Sequence, residues 1–240
     1  MGESARIVIG FAGMGGMGSR MAARLLDHGY PVHVYNRDSQ KTEPLVARGA
    51  AVARTPRELA TASDVLMLSL ADDAALHSVL LGPDGVLEAT PPGRIVVDLS
   101  TVHPSTSRSM FDQARAKGIS FLDAPVSGTL PQVEQGALLI MVGGDKRTFE
   151  ESLPLFNVLG KSVVYMGESG SGAAMKLIIN TLLGVSLEAL AKAIALGRRA
   201  GLPQEQMLDL LSQTTVVSPS QKAKIENVRR DEYPPFFLLG

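Results

Sequence analysis

From residue 6 to about residue 167, short aliphatic or β-branched runs alternate with longer stretches of helical periodicity. The runs Ile7–Phe11, Val32–Tyr35, Val65–Leu70, Ile95–Leu99, Ile119–Leu122, Leu138–Val142 and Val163–Met166 are predicted strands. Most are continuously apolar, as strands covered on both faces are. The pattern therefore predicts βαβ units feeding a parallel sheet. Helix ends are marked between the strands. Thr55-Pro56-Arg57-Glu58 puts an N-cap, a proline at the first helical position and a capping-box glutamate in register, and Gly29, Gly49 and Gly118 fall where C-caps belong.

After Gly167 the strand signals stop. Gly170-Ser171-Gly172 opens a helical stretch that runs to Arg199 and is closed by Gly201 and Pro203. That helix is roughly 40 Å long at about 1.5 Å per residue and apolar nearly all round. Glu188 and Lys192 interrupt its apolar run, which favours a buried helix over a membrane span. The predicted organisation is an α/β domain over residues 1–167, then an all-α domain over 168–240 with one long buried helix. The terminal Pro-Pro-Phe-Phe-Leu-Leu-Gly is apolar where natural ends are usually polar, so the chain is expected to stop inside an element.

Charge narrows the partners. The 23 basic and 24 acidic residues leave a net charge of -1 with no dense basic block, so neither nucleic acid nor a membrane surface is expected as a partner. A small molecule is. Cysteine is absent, which excludes disulfides, thiolate catalysis and cysteine zinc sites, and His28, His33, His77 and His103 lack ligand spacing, so no metal is predicted. With the first strand starting by residue 6 or 7 there is no room for a signal segment, and a cytoplasmic location is expected.

Gly13-Met14-Gly15-Gly16-Met17-Gly18 follows a predicted strand and opens a predicted helix, Met17 to His28, the context that G-x-G-x-x-G requires for dinucleotide binding. Gly13 permits the tight turn, Gly15 lets backbone approach a pyrophosphate, and Gly18 lets helix pack on strand. The helix N-terminus offers amides and positive dipole to the anion. The first domain is thus read as a Rossmann domain. At the end of the second strand, Asn36 and Arg37 stand where an NAD site usually carries Asp or Glu. A neutral Asn does not repel a 2′-phosphate and a guanidinium binds one, which favours NADP over NAD. The alternative makes Arg37 a solvated loop residue and Asp38 the missing carboxylate.

Lys176 and Asn180 are one helical turn apart near the start of the long helix. The macrodipole and the apolar neighbours Met175, Leu177, Ile178 and Ile179 disfavour the ammonium, so a lowered pKa suited to proton donation is expected. Asn180 orients that lysine or binds a substrate hydroxyl. A snorkelling lysine beside a surface asparagine is the alternative. Asp123-Ala124-Pro125-Val126-Ser127-Gly128 lies just past a strand, where a turn with a hydroxyl and a glycine amide suits a substrate carboxylate. Ser100-Thr101 is similarly placed.

Four segments together resemble the β-hydroxyacid dehydrogenases typified by 3-hydroxyisobutyrate dehydrogenase. They are Gly13–Gly18, Ser100-Thr101 with Pro104, Asp123–Gly128 continuing to Gly136, and Gly170-Ser171-Gly172 leading to Lys176 and Asn180. The resemblance implies Lys176 as catalytic acid/base, Ser127, Gly128 and Asn180 as substrate contacts, and cofactor contacts from Leu70, Ala71 and Thr101. It also implies homodimers or homotetramers assembled through the helical domain. Thr129 departs from the second glycine that many members carry after Ser-Gly, and the chain ends before the family's closing helices, so it reads as truncated relative to them. The function so implied is interconversion of a small β-hydroxy acid and its semialdehyde. Glyoxylate or succinic semialdehyde reduction, tartronate semialdehyde reduction, imine reduction and a non-catalytic dinucleotide-binding or assembly role are the competing readings.

Overall fold

The computed structural model describes residues 7–233. The segment 234–240, read above as an interrupted element, lies outside them. One mixed sheet holds β1 (Ile9–Ala12), β2 (Val32–Tyr35), β3 (Ala51–Val52), β4 (Val65–Leu68), β5 (Ile95–Asp98), β6 (Ser120–Asp123), β7 (Val126–Ser127), β8 (Leu138–Gly144) and β9 (Gly160–Gly167). The helices are α1 (Gly16–Asp27), α2 (Glu43–Val46), α3 (Pro56–Thr61), α4 (Asp73–Leu81), α5 (Val86–Ala89), α6 (Pro104–Ala116), α7 (Leu130–Glu134), α8 (Lys146–Leu159), α9 (Ser171–Arg199), α10 (Gln204–Gln213) and α11 (Pro219–Arg230).

Strands β3-β2-β1-β4-β5-β6 run parallel in that order, the doubly wound Rossmann arrangement with its switch point between β1 and β4. Alternate residues feed two cores. Ile9, Phe11, Val65 and Met67 pack with Met21, Leu25 and Phe156 on one face, while Leu66, Leu68 and Val96 pack with Leu59, Leu80 and Met110 on the other. Burial on both faces explains the continuous apolar runs.

The expected all-parallel pattern ends at β6. β8 runs antiparallel to β6 and to β7, and β9 returns parallel to β8. The chain between β6 and β8 goes into two-residue β7 and five-residue α7 rather than a covering crossover helix, so β8 comes back the other way. At the marked helix ends, Thr55 Oγ1 accepts from Glu58 N at 3.0 Å, and Gly29, Gly49 and Gly118 adopt positive φ. Glu58 reaches one residue beyond the cap, taking Arg54 N at 2.8 Å.

The chain divides into two compact units after Leu177. In the second unit Leu190 and Ile194 of α9 pack with Met207, Leu208, Val217 and Ile225. Gly197 allows this approach, since a Cβ there would lie 2.0 Å from Met207 Sδ. Arg229 ties Glu205 and Asp209 to α11.

The expected burial of the long helix does not hold within the chain. Ile178, Leu182, Val185 and Leu196 are 55, 68, 61 and 71% exposed, because within this unit α10 and α11 supply partners to one side of α9 only. By length and composition α9 is long and apolar enough to cross a membrane, an 18-residue stretch of it having a mean hydropathy of 1.6.

Candidate active site

The site begins at the β1–α1 turn. Gly13 has φ +96° and donates its N–H to Tyr35 O at 3.0 Å, and a Cβ on it would lie 2.1 Å from Ser69 O. A Cβ on Gly18 would lie 1.9 Å from Gly13 O. These two glycines are required by the protein's own packing. Gly15 is different, because nothing lies within 4 Å of where its Cβ would stand. It is the N-cap of α1, with no side-chain cap, and the first turn carries no acidic residue. The turn therefore leaves backbone amides and the positive helix end facing open space, which fits a pyrophosphate.

Beside it lies an open cleft of about 420 Å³ lined by Met14, Gly15, Gly16, Ser19, Lys41, Pro44 and Leu45. The side chains of Met14 and Met17 pack into the core, so Met14 borders the cleft mainly through its backbone.

Asn36, at the end of β2, does more than avoid repulsion. Its Oδ1 accepts from Met14 N at 2.9 Å and its Nδ2 donates to Asp38 O at 2.8 Å, fixing the glycine turn against the next loop. Asp38 Oδ1 accepts from Gln40 N at 3.2 Å and caps a 3-10 turn, Ser39–Thr42, that carries Lys41 into the cleft. Arg37 is exposed and has no partner among the described residues. Sequence reasoning missed Lys41, whose placement depends on that turn.

At the neighbouring strand ends, Leu70 N donates to Ser100 Oγ at 2.9 Å, and Ser100 N donates to Asp98 Oδ1 at 3.0 Å. Ala71 and Thr101 are exposed at the same edge. Burial pushes the Asp98 carboxyl up to about 6. A carboxyl whose folded-state pKa is raised destabilises the fold once it ionises, so stability falls as pH rises from 3.8 to about 6 and stays lower above it. The loss is on the order of 3 kcal/mol. Asp98→Asn should flatten that fall in a series of denaturant titrations against pH.

The segment after β6 is not the simple turn expected. Ser127 pairs with Leu139 in β7, half-buried, and Gly128 beyond it is exposed. Thr129, the departure from a second glycine, starts α7, its N–H and hydroxyl donating to Gln132 Oε1 at 2.8 and 3.1 Å.

Asp123 reaches the start of α9. Its Oδ1 accepts from Gly170 N at 2.7 Å and Ser169 Oγ at 3.3 Å, and its Oδ2 accepts from Ala173 N at 2.9 Å. Lys176 follows one turn later, half-buried, without a partner among the described residues, and burial lowers its pKa. Burial of the amine is the cause of that shift.

Sheet order thus gathers Gly13–Gly18, Leu70-Ala71, Thr101, Ser127-Gly128 and Lys176 along the carboxyl ends of β1, β4, β5 and β6, where open α/β sheets bind ligands. Asn180 is exposed one turn beyond Lys176, on the part of α9 that belongs to the second unit.

Residues 8–167 match the family described as the NAD binding domain of 6-phosphogluconate dehydrogenase, and residues 170–240 match the NAD-binding region of NADP-dependent 3-hydroxyisobutyrate dehydrogenase. The chain belongs to the β-hydroxyacid dehydrogenase family. Glyoxylate/succinic semialdehyde reductase 1 of Arabidopsis thaliana is 38% identical over 231 residues, 96% of this chain and 80% of that protein. The 3-hydroxyisobutyrate dehydrogenase structure from Salmonella typhimurium superposes with a TM-score of 0.87 at 29% identity, covering 95% of this chain and 80% of the other. A structure of Psf3 in complex with NADP+ and 2-OPP gives 0.86 at 29%, covering 94% and 80%. As a β-hydroxyacid dehydrogenase, the chain is an NAD(P)-dependent dehydrogenase or reductase.

Proposed function

We propose that this dehydrogenase moves hydride between NADP(H) and a small β-hydroxy acid or its semialdehyde, 3-hydroxyisobutyrate-like in size, with Lys176 as general acid and base. The observation that carries it is an amine with no partner among the described residues, half-buried and with a lowered pKa, on the helix that Asp123 anchors at the carboxyl edge of the Rossmann sheet. Bound nicotinamide supplies or accepts the hydride. Lys176 gives a proton to the carbonyl oxygen as it gains charge in reduction, and takes it back in oxidation. The Ser127 hydroxyl and Gly128 amide suit the substrate carboxylate, and Asn180, one turn along the same helix, orients the lysine or holds the substrate hydroxyl. The Arabidopsis relative's name supports an aldehyde carrying a carboxylate as the oxidised substrate. Rates of NADPH consumption with glyoxylate, succinic semialdehyde, tartronate semialdehyde, methylmalonate semialdehyde and a cyclic imine test this reading. Turnover of the imine alone would refute it.

NADP is favoured over NAD because Arg37 has no partner among the described residues, Lys41 lines the cleft, and Asp38 is occupied capping its turn. Arg37→Ala should weaken NADPH binding by roughly 1.5–3 kcal/mol and leave NADH nearly unchanged. Fluorescence titration with both cofactors checks it; equal losses would remove the argument. The exposed apolar residues of α9 support assembly of identical subunits through the helical unit, a homodimer or homotetramer. Sedimentation at micromolar concentration should show no monomer.

A further inference from the structure

The first turn of α9 carries no acidic residue of its own, yet its amides are not left orphaned. Asp123, the last residue of β6 and 50 residues before Ala173, meets them with both carboxylate oxygens. N–H bonds to both oxygens favour the ionised form. Burial pushes this carboxyl up, and the amides of Gly170 and Ala173 pull it back.

The approach is close enough to exclude side chains. A Cβ on Gly172 would stand 2.3 Å from Met141 O and 2.8 Å from Asp123 O, and a Cβ on Gly143 would stand 2.7 Å from Asp123 Oδ1. The first turn of α9 therefore sits directly on the end of β6 and the middle of β8, which explains the glycine of Gly170-Ser171-Gly172 at its last position. Lys176 lies three residues past Ala173, on the same side of the helix one turn on.

We propose that Asp123 is a positioning residue for the reaction: its carboxylate locks the first turn of α9 to the sheet edge and so fixes where the Lys176 amine stands. This rests on Lys176 being the proton donor. Two effects follow. Proton transfer is sensitive to placement, a misplacement of about 1 Å costing on the order of 100-fold. The carboxylate also offsets the positive end of the helix, which otherwise disfavours the ammonium. The charged groups packed beside this junction are Asp98 next to Asp123 on β5 and Arg108 of α6 against Gly170.

Asp123→Asn keeps the size but turns a donor toward an amide N–H. The test is a double-mutant cycle of Asp123→Asn with Lys176→Met, reading kcat, NADPH affinity and the pH profile of reduction. Asp123→Asn should lower kcat by about 10–100-fold with NADPH affinity kept, and should move the alkaline loss of activity to lower pH, since the lysine deprotonates more easily. In the Lys176→Met background it should add little. An equal further loss in that background would overturn the positioning role while leaving Lys176 its function. Near-wild-type turnover by Lys176→Met alone would instead overturn the proton-donor reading, and this proposal with it. If Asp123→Asn fails to fold, Gly172→Ala takes its place in the cycle. It displaces the same turn and keeps the carboxylate, so it should lower kcat, be silent in the Lys176→Met background and leave the pH limb in place; additivity there overturns the proposal equally.

Discussion

Lys176→Met lowers the turnover number by about two to four orders of magnitude, the usual contribution of general acid catalysis, while NADPH affinity changes little. Hydride addition to a carbonyl leaves an alkoxide that needs a proton as it forms. The half-buried Lys176 amine, its pKa lowered by burial, is a stronger acid than an exposed lysine and is suited to give one. Methionine preserves helix propensity and most of the volume, so the fold should be kept. Asn180→Ala should cost less, because orientation is lost and the proton source remains. Steady-state and single-turnover kinetics across pH separate the two variants. Near-wild-type turnover by Lys176→Met would refute the mechanism and leave the cofactor site standing.

A second large effect is expected at Gly15. Its backbone is extended, with φ -72° and ψ -176°, and there is open space where a Cβ would stand. Asp is a preferred N-cap and its charge complements the helix N-terminus, so Gly15→Asp should stabilise the fold by a few tenths to about 1 kcal/mol. The same carboxylate would take the amides that a pyrophosphate needs and repel it. NADPH affinity should fall by on the order of 100-fold or more, about 3 kcal/mol. Calorimetric binding beside a denaturant titration reads both. A variant that binds NADPH normally would show that the glycine turn is not the pyrophosphate cradle. Gly18→Ala behaves oppositely, losing stability, because its Cβ would meet Gly13 O at 1.9 Å.

What could be read in the sequence was whatever depends on local spacing or on burial of both faces of a strand. The apolar runs at Val65–Leu70 and Ile95–Leu99 correspond to β4 and β5, and the glycine motif lies between β1 and α1 as its context required. The two-residue strands β3 and β7 are too short for a periodic signal, and the antiparallel return of β8 depends on how the chain leaves β6. Lys41 and Asp123 went unassigned for a related reason. One reaches the cleft through a 3-10 turn, and the other finds its partners 47 and 50 residues away, so neither shows in a local pattern. The apolar composition of α9 showed that the helix needs covering, but periodicity does not say which molecule covers it. Within this chain much of it is exposed.

The most direct test of the central claim is isotope transfer from NADPH deuterated at the reactive nicotinamide carbon. Incubated with the protein and the best semialdehyde of the panel, it should deliver deuterium to the carbinol carbon of the product hydroxy acid, one label for each NADPH consumed. Tight NADPH binding with no label in any product would contradict hydride transfer and leave a dinucleotide-binding protein without this activity.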